Sequence, residues 1–283
     1  MCRIMRNIIA VVAVLLSFST NLFSKNISFD PFVVSNNFIT FYTLDPNYNV
    51  ESHEISFTIS SQGNLIGTES VSDETHTNNY TFSGLMYGYR EASSNVISAK
   101  IKAQSSNGFK YKGTVFGFST INTNGEIKHS NLFSLGAFSG EKRIATMSNI
   151  DPPLLNILVS NSFSFYLVNK KGENPKEISV VYNTDNQGDI TGILSQKNNL
   201  NKQKLKPLLG KLGTFENKPP LTLKNSYSST NWYRARFDCV SGMGTSIKGF
   251  TYLYQSSNSF SGYYNLIAPL QNKRQAMVTG IGY

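Results

Sequence analysis

Short runs in which apolar and polar residues alternate recur along the chain. They include Ile55 to Ile59, Ile97 to Ala103 and Tyr233 to Cys239. Because successive side chains of a strand point to opposite faces, each run predicts a half-buried β-strand. The sequence is also rich in Tyr and Phe, which favour strands. The pattern predicts an all-β fold, and many short strands separated by polar turns are typical of a sandwich.

One stretch departs from this alternation. Between Leu200 and Leu212, leucines recur at helical spacing, at positions 205, 208, 209 and 212. Pro207 suits a first helical turn, and Gly213 suits a helix end. We therefore expect a short amphipathic helix inserted between strands. A loop is the alternative, because Pro207 and Gly210 lower the helix propensity.

The N-terminus has the pattern of a secretory signal peptide. Arg3 and Arg6 precede an apolar run over residues 8–16, which a polar patch follows up to Ser24. This run is shorter than the roughly 20 apolar residues that a membrane-spanning helix needs. We predict that residues 1–24 are removed and that the protein is exported. Residues 25–283 are enough for one large β domain or two small ones, and we predict a single β-sandwich domain there.

Charge and cysteine content restrict the partners and the means of stabilisation. The chain has 26 basic and 17 acidic residues, and a loose group of lysines comprises Lys197, Lys202, Lys204, Lys206 and Lys211. This group is either a solvated surface or a site for a polyanion or an anionic glycan. We expect no nucleic acid partner for an exported protein. Cys239 is the only Cys left after processing, so we expect a buried free thiol rather than a disulfide.

No known catalytic, metal-binding or cofactor-binding motif occurs in the sequence. His53, His76 and His129 have no second His or Cys at metal-ligand spacing, and each is expected at the surface. We therefore predict no catalytic residue, no metal, no cofactor and no enzymatic activity. Two carboxylates brought together in a cleft would instead favour a secreted glycan-acting enzyme. Trp232 and the many tyrosines are candidates for stacking on sugars.

The C-terminal third resembles a known family. Two features carry the resemblance: the leucine- and lysine-bearing stretch over residues 200–212, and the ending that runs from Gly262 through Ala268 and Pro269 to Tyr283. Together they are similar to the FaeG-type fimbrial subunits, which the chaperone/usher route assembles on bacterial surfaces. The resemblance implies an incomplete immunoglobulin-like sandwich whose missing strand a partner supplies. The implied partners are a periplasmic chaperone, an outer-membrane usher and neighbouring fimbrial subunits, with a host glycan or glycoprotein as a possible receptor.

A donor strand is the candidate site for such an assembly. Ile27, Phe29 and Val33 fall on one face of an extended segment directly after the predicted cleavage site. Such a segment could insert into the groove of another subunit, or it could be the first strand of its own domain.

An outer-membrane β-barrel is a further alternative for the whole protein. The terminal run from Met277 to Tyr283 alternates and ends on an aromatic residue. Most runs, however, are shorter than the strands of such barrels, and they carry Lys or Ser where a lipid-facing residue would have to be apolar.

Overall fold

A computed structural model describes residues 28–93, 95–150, 159–197, 202–221, 231–256, 259–272 and 274–283. These ranges contain seventeen β-strands and the 3₁₀ helix Asp30–Phe32, and the strands pair antiparallel throughout. The predicted all-β class is confirmed. No helix in the described ranges has the length and apolar character needed to cross a membrane. The predicted signal peptide lies outside the described residues.

Eight strands close into a ring, the first barrel. They are β1 (Asn37–Leu44), β2 (Val50–Ile59), β3 (Asn64–Ser72), β4 (Thr77–Ser93), β5 (Val96–Ser105), β6 (Lys110–Ile121), β7 (Ile127–Phe138) and β17 (Gln275–Gly282). β1 to β7 pair in chain order, and β17 pairs with both β7 and β1. Every second side chain points inward, and Ile39, Phe57, Phe82 and Phe133 fill the centre.

The other strands form the second sheet. In spatial order they are β9 (Val159–Val168), β10 (Lys176–Thr184), β11 (Asp189–Lys197), β12 (Gln203–Leu212), β14 (Trp232–Ser241), β15 (Ser246–Ser256), β16 (Ser259–Leu270) and β8 (Arg143–Ile150), with the short β13 (Glu216–Asn217) beside β14. The sheet curls around its own apolar core, because Phe163 on β9 meets Phe237 on β14 with ring centroids 6.2 Å apart. Its two end strands continue into the first barrel, since β8 pairs with β1 and β9 pairs with β17.

Several hairpins share one turn chemistry. In the turns that begin at Asn122, Asn169 and Asp185, the side-chain oxygen accepts backbone N–H groups two and four residues later. The fourth residue of each is a glycine with φ between 75° and 81°. This local code explains why polar residues and glycine separate the apolar runs of the sequence.

Tyr48 occupies the glycine position in the turn that begins at Asp45, with φ of 68°. A left-handed backbone at a non-glycine residue costs about 1–2 kcal/mol. The side chain offsets this cost by docking on the second sheet. Its hydroxyl donates to Asp238 at 2.9 Å, and the Arg236 guanidinium lies 4.8 Å from its ring centroid. Tyr48 therefore helps to fasten the barrel to the second sheet.

The predicted helical insertion is wrong for residues 203–212, which form strand β12. β12 pairs with β11 along its length and with β14 over its second half. Leu208 is buried, whereas Leu205 and Leu209 lie on the opposite face and are 59% and 60% exposed. The leucines thus belong to two faces of a strand, and their helical spacing is incidental. Residues 200 and 201 lie outside the described residues.

The predicted immunoglobulin-like sandwich is not confirmed. In the first barrel the strands follow one another around a ring, and β17, the last strand of the chain, closes it. A sandwich that lacks a strand would leave an open edge at this point, whereas here β1 and β7 are each paired on both sides.

Candidate functional site

A cavity of about 360 Å³ lies at one end of the second sheet. It is lined by Lys176, Gln196, Lys202, Lys204, Lys206, Met243 and Gln271. None of these lining residues is acidic. The pocket therefore concentrates positive charge in a concave place, which is the general form of a site for an anion.

The alternation of the strands directs these side chains into the pocket. On β12, Lys204 and Lys206 share the phase of Leu208, which is buried in the core of the second sheet. On β10, Lys176 shares the phase of buried Ile178. The concave face of the sheet is thus apolar at its centre and cationic at this end.

The positive charges of the neighbouring basic side chains repel one another. The pKa of Lys176 is lowered, mainly by burial and further by the positive charges of Arg274 and Lys204. Met243 packs against the apolar core, and its carbonyl accepts a hydrogen bond from Gln271 Nε2 at 3.1 Å. A bound anion would relieve the repulsion between the lysines, and the side-chain amides of Gln196 and Gln271 could donate to it.

The lysine group singled out in the sequence divides between two faces. Lys202, Lys204 and Lys206 line the pocket. Lys197 and Lys211 occupy the alternate positions of their strands, whose side chains point to the convex face of the sheet. Lys211 Nζ pairs there with Asp189 Oδ1 at 2.7 Å. Sequence reasoning missed Lys176, although it continues the alternation of Ile178 and Val180 by one step.

A second polar group lies inside the first barrel, around His53. His53 is fully buried, so its predicted surface position is wrong; His76 is exposed and His129 is half-buried. His53 Nδ1 lies 2.6 Å from Glu69 Oε1, and Thr43 Oγ1 lies 2.9 Å from Nε2. Tyr111 donates its hydroxyl hydrogen bond to the same Glu69 oxygen from across the barrel, at 2.9 Å.

The surroundings of this enclosed group favour its ionised forms. Burial lowers the pKa of His53, yet the neighbouring carboxylates of Glu51 and Glu69 outweigh burial and raise it. Burial likewise raises the pKa of Glu69, and its partners, above all His53, outweigh this and lower it. Phe41 covers one face of the His53 ring, with centroids 4.5 Å apart and 11° between the planes. The His53–Glu69 pair therefore holds the barrel interior together rather than meeting a ligand.

Two carboxylates do share a cleft, at the end of the first barrel. Glu51 and Asp73 both line a cavity of about 210 Å³. Glycoside hydrolysis needs one carboxylic acid that keeps its proton near neutral pH. His53, whose Nε2 lies 3.6 Å from Glu51 Oε2, is the largest cause that lowers the pKa of Glu51 to about 2, and backbone hydrogen bonds from Thr75 and His76 lower that of Asp73. This pair thus suits binding better than acid catalysis.

Of the donor-strand candidates, Phe29 and Val33 lie apart from both cavities. Phe29 is buried in its own chain, against Phe32 and Tyr89, whereas Val33 is 43% exposed. Ile27 lies outside the described residues. Phe29 precedes the 3₁₀ helix Asp30–Phe32 rather than lying in an extended strand.

Trp232 and Cys239 are both buried. Trp232 is 3% exposed in the cluster between the barrel and the second sheet, so it offers no open face for a sugar. Cys239 is 2% exposed, which confirms the buried thiol. Burial is the main cause that raises its pKa to about 12.

Comparisons with known proteins do not assign the chain to a family. No family model and no curated protein matches it. Among solved structures, kievitone hydratase from Nectria haematococca is similar at 7% identity over 85% of this chain and 90% of that chain, with a TM-score of 0.20. A TM-score this low does not establish a shared fold. Among the described residues, no group of three His, Cys, Asp or Glu side chains is placed to hold a metal ion.

Proposed function

We propose that this protein is an exported binding protein that holds an anionic ligand in the lysine-lined pocket of the second sheet. The observation that carries the proposal is the convergence of Lys176, Lys204 and Lys206 on the concave side of one cavity, with no acidic residue among the described residues that line it. Surface lysines are ordinarily solvated and scattered. Here Lys204 and Lys206 are also exposed, but the strand alternation points them to a common space.

The ligand class follows from the donors. Ammonium groups and side-chain amides recognise carboxylate, sulfate or phosphate oxygens, and Met243 adds an apolar contact at the base of the pocket. The volume of about 360 Å³ lies at the lower end of the range of ligand pockets, roughly 300–1,000 Å³. A single acidic sugar unit or a small anion fits such a space, whereas an extended chain would have to enter by its end.

A pair of charge-matched variants tests the proposal. Isothermal titration of the protein lacking residues 1–24 uses a sulfated heparin disaccharide and, separately, inorganic phosphate. We expect Lys204→Ala/Lys206→Ala to weaken binding about tenfold or more, which corresponds to about 1.4 kcal/mol. The control Lys197→Ala/Lys211→Ala removes the same charge from the convex face and should change affinity about twofold or less. Equal losses of affinity in both variants would mean that binding depends only on net charge, and would contradict binding in the lysine-lined pocket.

Export and a fimbrial role rest on the sequence. The pattern of residues 1–24 supports export, and the C-terminal resemblance supports a subunit of a bacterial fimbria with chaperone, usher and neighbouring subunits as partners. In that setting an anionic host glycan would be the natural ligand of the pocket. The subunit role stays a prediction, to which the pairing of β17 with β1 adds no support.

A further inference from the structure

The cavity at the end of the first barrel differs in character from the lysine-lined pocket. It opens at the end where β3 turns into β4 and β5 turns into β6. Asn78 and Tyr80 enter it from β4, on the inward phase that continues to buried Phe82. Ser139 and Lys142 enter from the turn between β7 and β8. Four separate segments thus converge on a space of about 210 Å³.

The base of this cavity is closely packed. Phe109 is 2% exposed, and its ring centroid lies 4.9 Å from that of His53. His53 is in turn held by Glu69 through a hydrogen bond of 2.6 Å. Packed and hydrogen-bonded side chains therefore form the base of the cavity, so a ligand would meet a preformed site.

The charged groups around the cavity already have hydrogen-bond or ion-pair partners within the chain. Glu51 Oε2 pairs with Lys142 Nζ, and Thr43 also donates to that carboxylate. Asp73 Oδ1 accepts the backbone N–H groups of Thr75 and His76, each at 2.7 Å. A cationic ligand would compete with Lys142 for Glu51, and an anionic one would face both carboxylates. An uncharged ligand meets neither penalty.

We propose that this cavity binds one uncharged sugar unit, at a site separate from the lysine-lined pocket. Each hydroxyl of a sugar can both donate and accept, which matches a wall that alternates carboxylate, ammonium, amide and hydroxyl groups. Half-buried Tyr80 supplies an aromatic ring for the apolar face of the sugar. The volume is below that of pockets for drug-sized ligands, roughly 300–1,000 Å³, so the occupant is a single ring.

Saturation-transfer NMR on the protein lacking residues 1–24 tests this site. The probes are glucose, galactose, mannose, N-acetylglucosamine and lactose, each added alone. We expect at least one of them to bind and its affinity to fall at least tenfold in Tyr80→Ala. The matched control is Tyr87→Ala, because Tyr87 lies on the same strand but on the outer face, 49% exposed. Asn78→Ala, at an exposed position, provides a second variant with little risk to folding. We expect it to weaken binding of the same sugar.

Three results would overturn the proposal. The first is that no sugar in the set binds. The second is an equal loss of affinity in Tyr80→Ala and Tyr87→Ala. The third is loss of the sugar signal in Lys204→Ala/Lys206→Ala. The last result would move sugar binding to the lysine-lined pocket and leave the anion proposal standing. Failure of the anion titration alone would leave the barrel site untouched.

Discussion

At the scale of residues, the His53–Glu69 pair affects the stability of the first barrel. Both side chains are fully buried, and Glu69 Oε2 has no hydrogen-bond partner among the described residues. Removing one member of a buried ion pair leaves an uncompensated charge, at a cost of about 3 kcal/mol or more. The pair is therefore a point at which pH acts on the stability of the whole barrel.

The pair predicts a specific pH profile for the free energy of unfolding. The pKa of His53 is raised above 6.5, so its stabilisation is complete below pH 6.5 and is lost as pH rises through the raised value. The pKa of Glu69 is lowered below 4.5, so its stabilisation is present above pH 4.5 and is lost as pH falls through the lowered value. In urea unfolding we expect stability to decline from pH 6.5 to about pH 8, below the ordinary pKa of Cys and Tyr.

The double variant His53→Gln/Glu69→Gln is the control for this profile. It removes both titrating groups and keeps polar side chains of similar size, so the decline above pH 6.5 should disappear. An unchanged slope in the double variant would show that other groups cause the decline.

The sequence contained a usable sign of this buried pair. His53 shares the alternating phase of Ile55, Phe57 and Ile59, and Glu69 shares that of Leu65 and Val71. Extending the alternation by one step places both residues inside the sheet. Their contact with Tyr111 on β6 was not predictable, because it depends on the closure of the ring.

At the scale of elements, the packing of the N-terminal segment predicts how two substitutions in it change stability. Phe29 packs into the end of the first barrel opposite the cavity lined by Glu51 and Asp73. Its backbone N–H donates to the carbonyl oxygen of Ser61 at 2.9 Å. We expect Phe29→Asp to destabilise the protein lacking residues 1–24 by about 4 kcal/mol, because it removes a large buried ring and introduces an unpaired carboxylate. The matched control is Val33→Asp, at an exposed position, which should be nearly neutral in urea unfolding.

The donor-strand hypothesis predicts a different pattern for the same variants. Under it, a Phe29→Asp subunit would still fold with its chaperone and would fail only to join a fibre. Unchanged unfolding of Phe29→Asp would therefore contradict the packing of Phe29 in its own barrel.

Strand β12 shows why local pattern alone misassigns an element. Its leucines satisfy helical spacing, but its backbone pairs antiparallel with β11 along its length and with β14 from Leu208 onward, and these tertiary pairings outweigh helix propensity. Pro207 fits the strand because its carbonyl, which accepts Gly242 N–H at 3.0 Å, faces the side of β14, and pairing with β14 begins only at Leu208, so no ladder bond needs a Pro207 N–H. Gly210 fits because Cys239 lies directly opposite, and an added Cβ would come within 2.2 Å of its Sγ.

At the scale of the whole molecule, the alternation predicted strands but not their arrangement. The pairing of β17 with β1 joins residues at the two ends of the described chain, and nothing in the local sequence specifies it. The same holds for the lysine-lined pocket. Three of its lysines form a visible cluster in the sequence, but the contribution of Lys176 from β10 depends on how the second sheet curls.

The measurement that tests the anion site most directly is lysine footprinting. The protein lacking residues 1–24 is acetylated with and without the sulfated heparin disaccharide, and mass spectrometry reports the rate at each lysine. The anion site predicts slower acetylation of Lys176, Lys204 and Lys206 when the disaccharide is present, with Lys197 and Lys211 unchanged. Equal rates at all five lysines, or protection confined to Lys197 and Lys211, would contradict it.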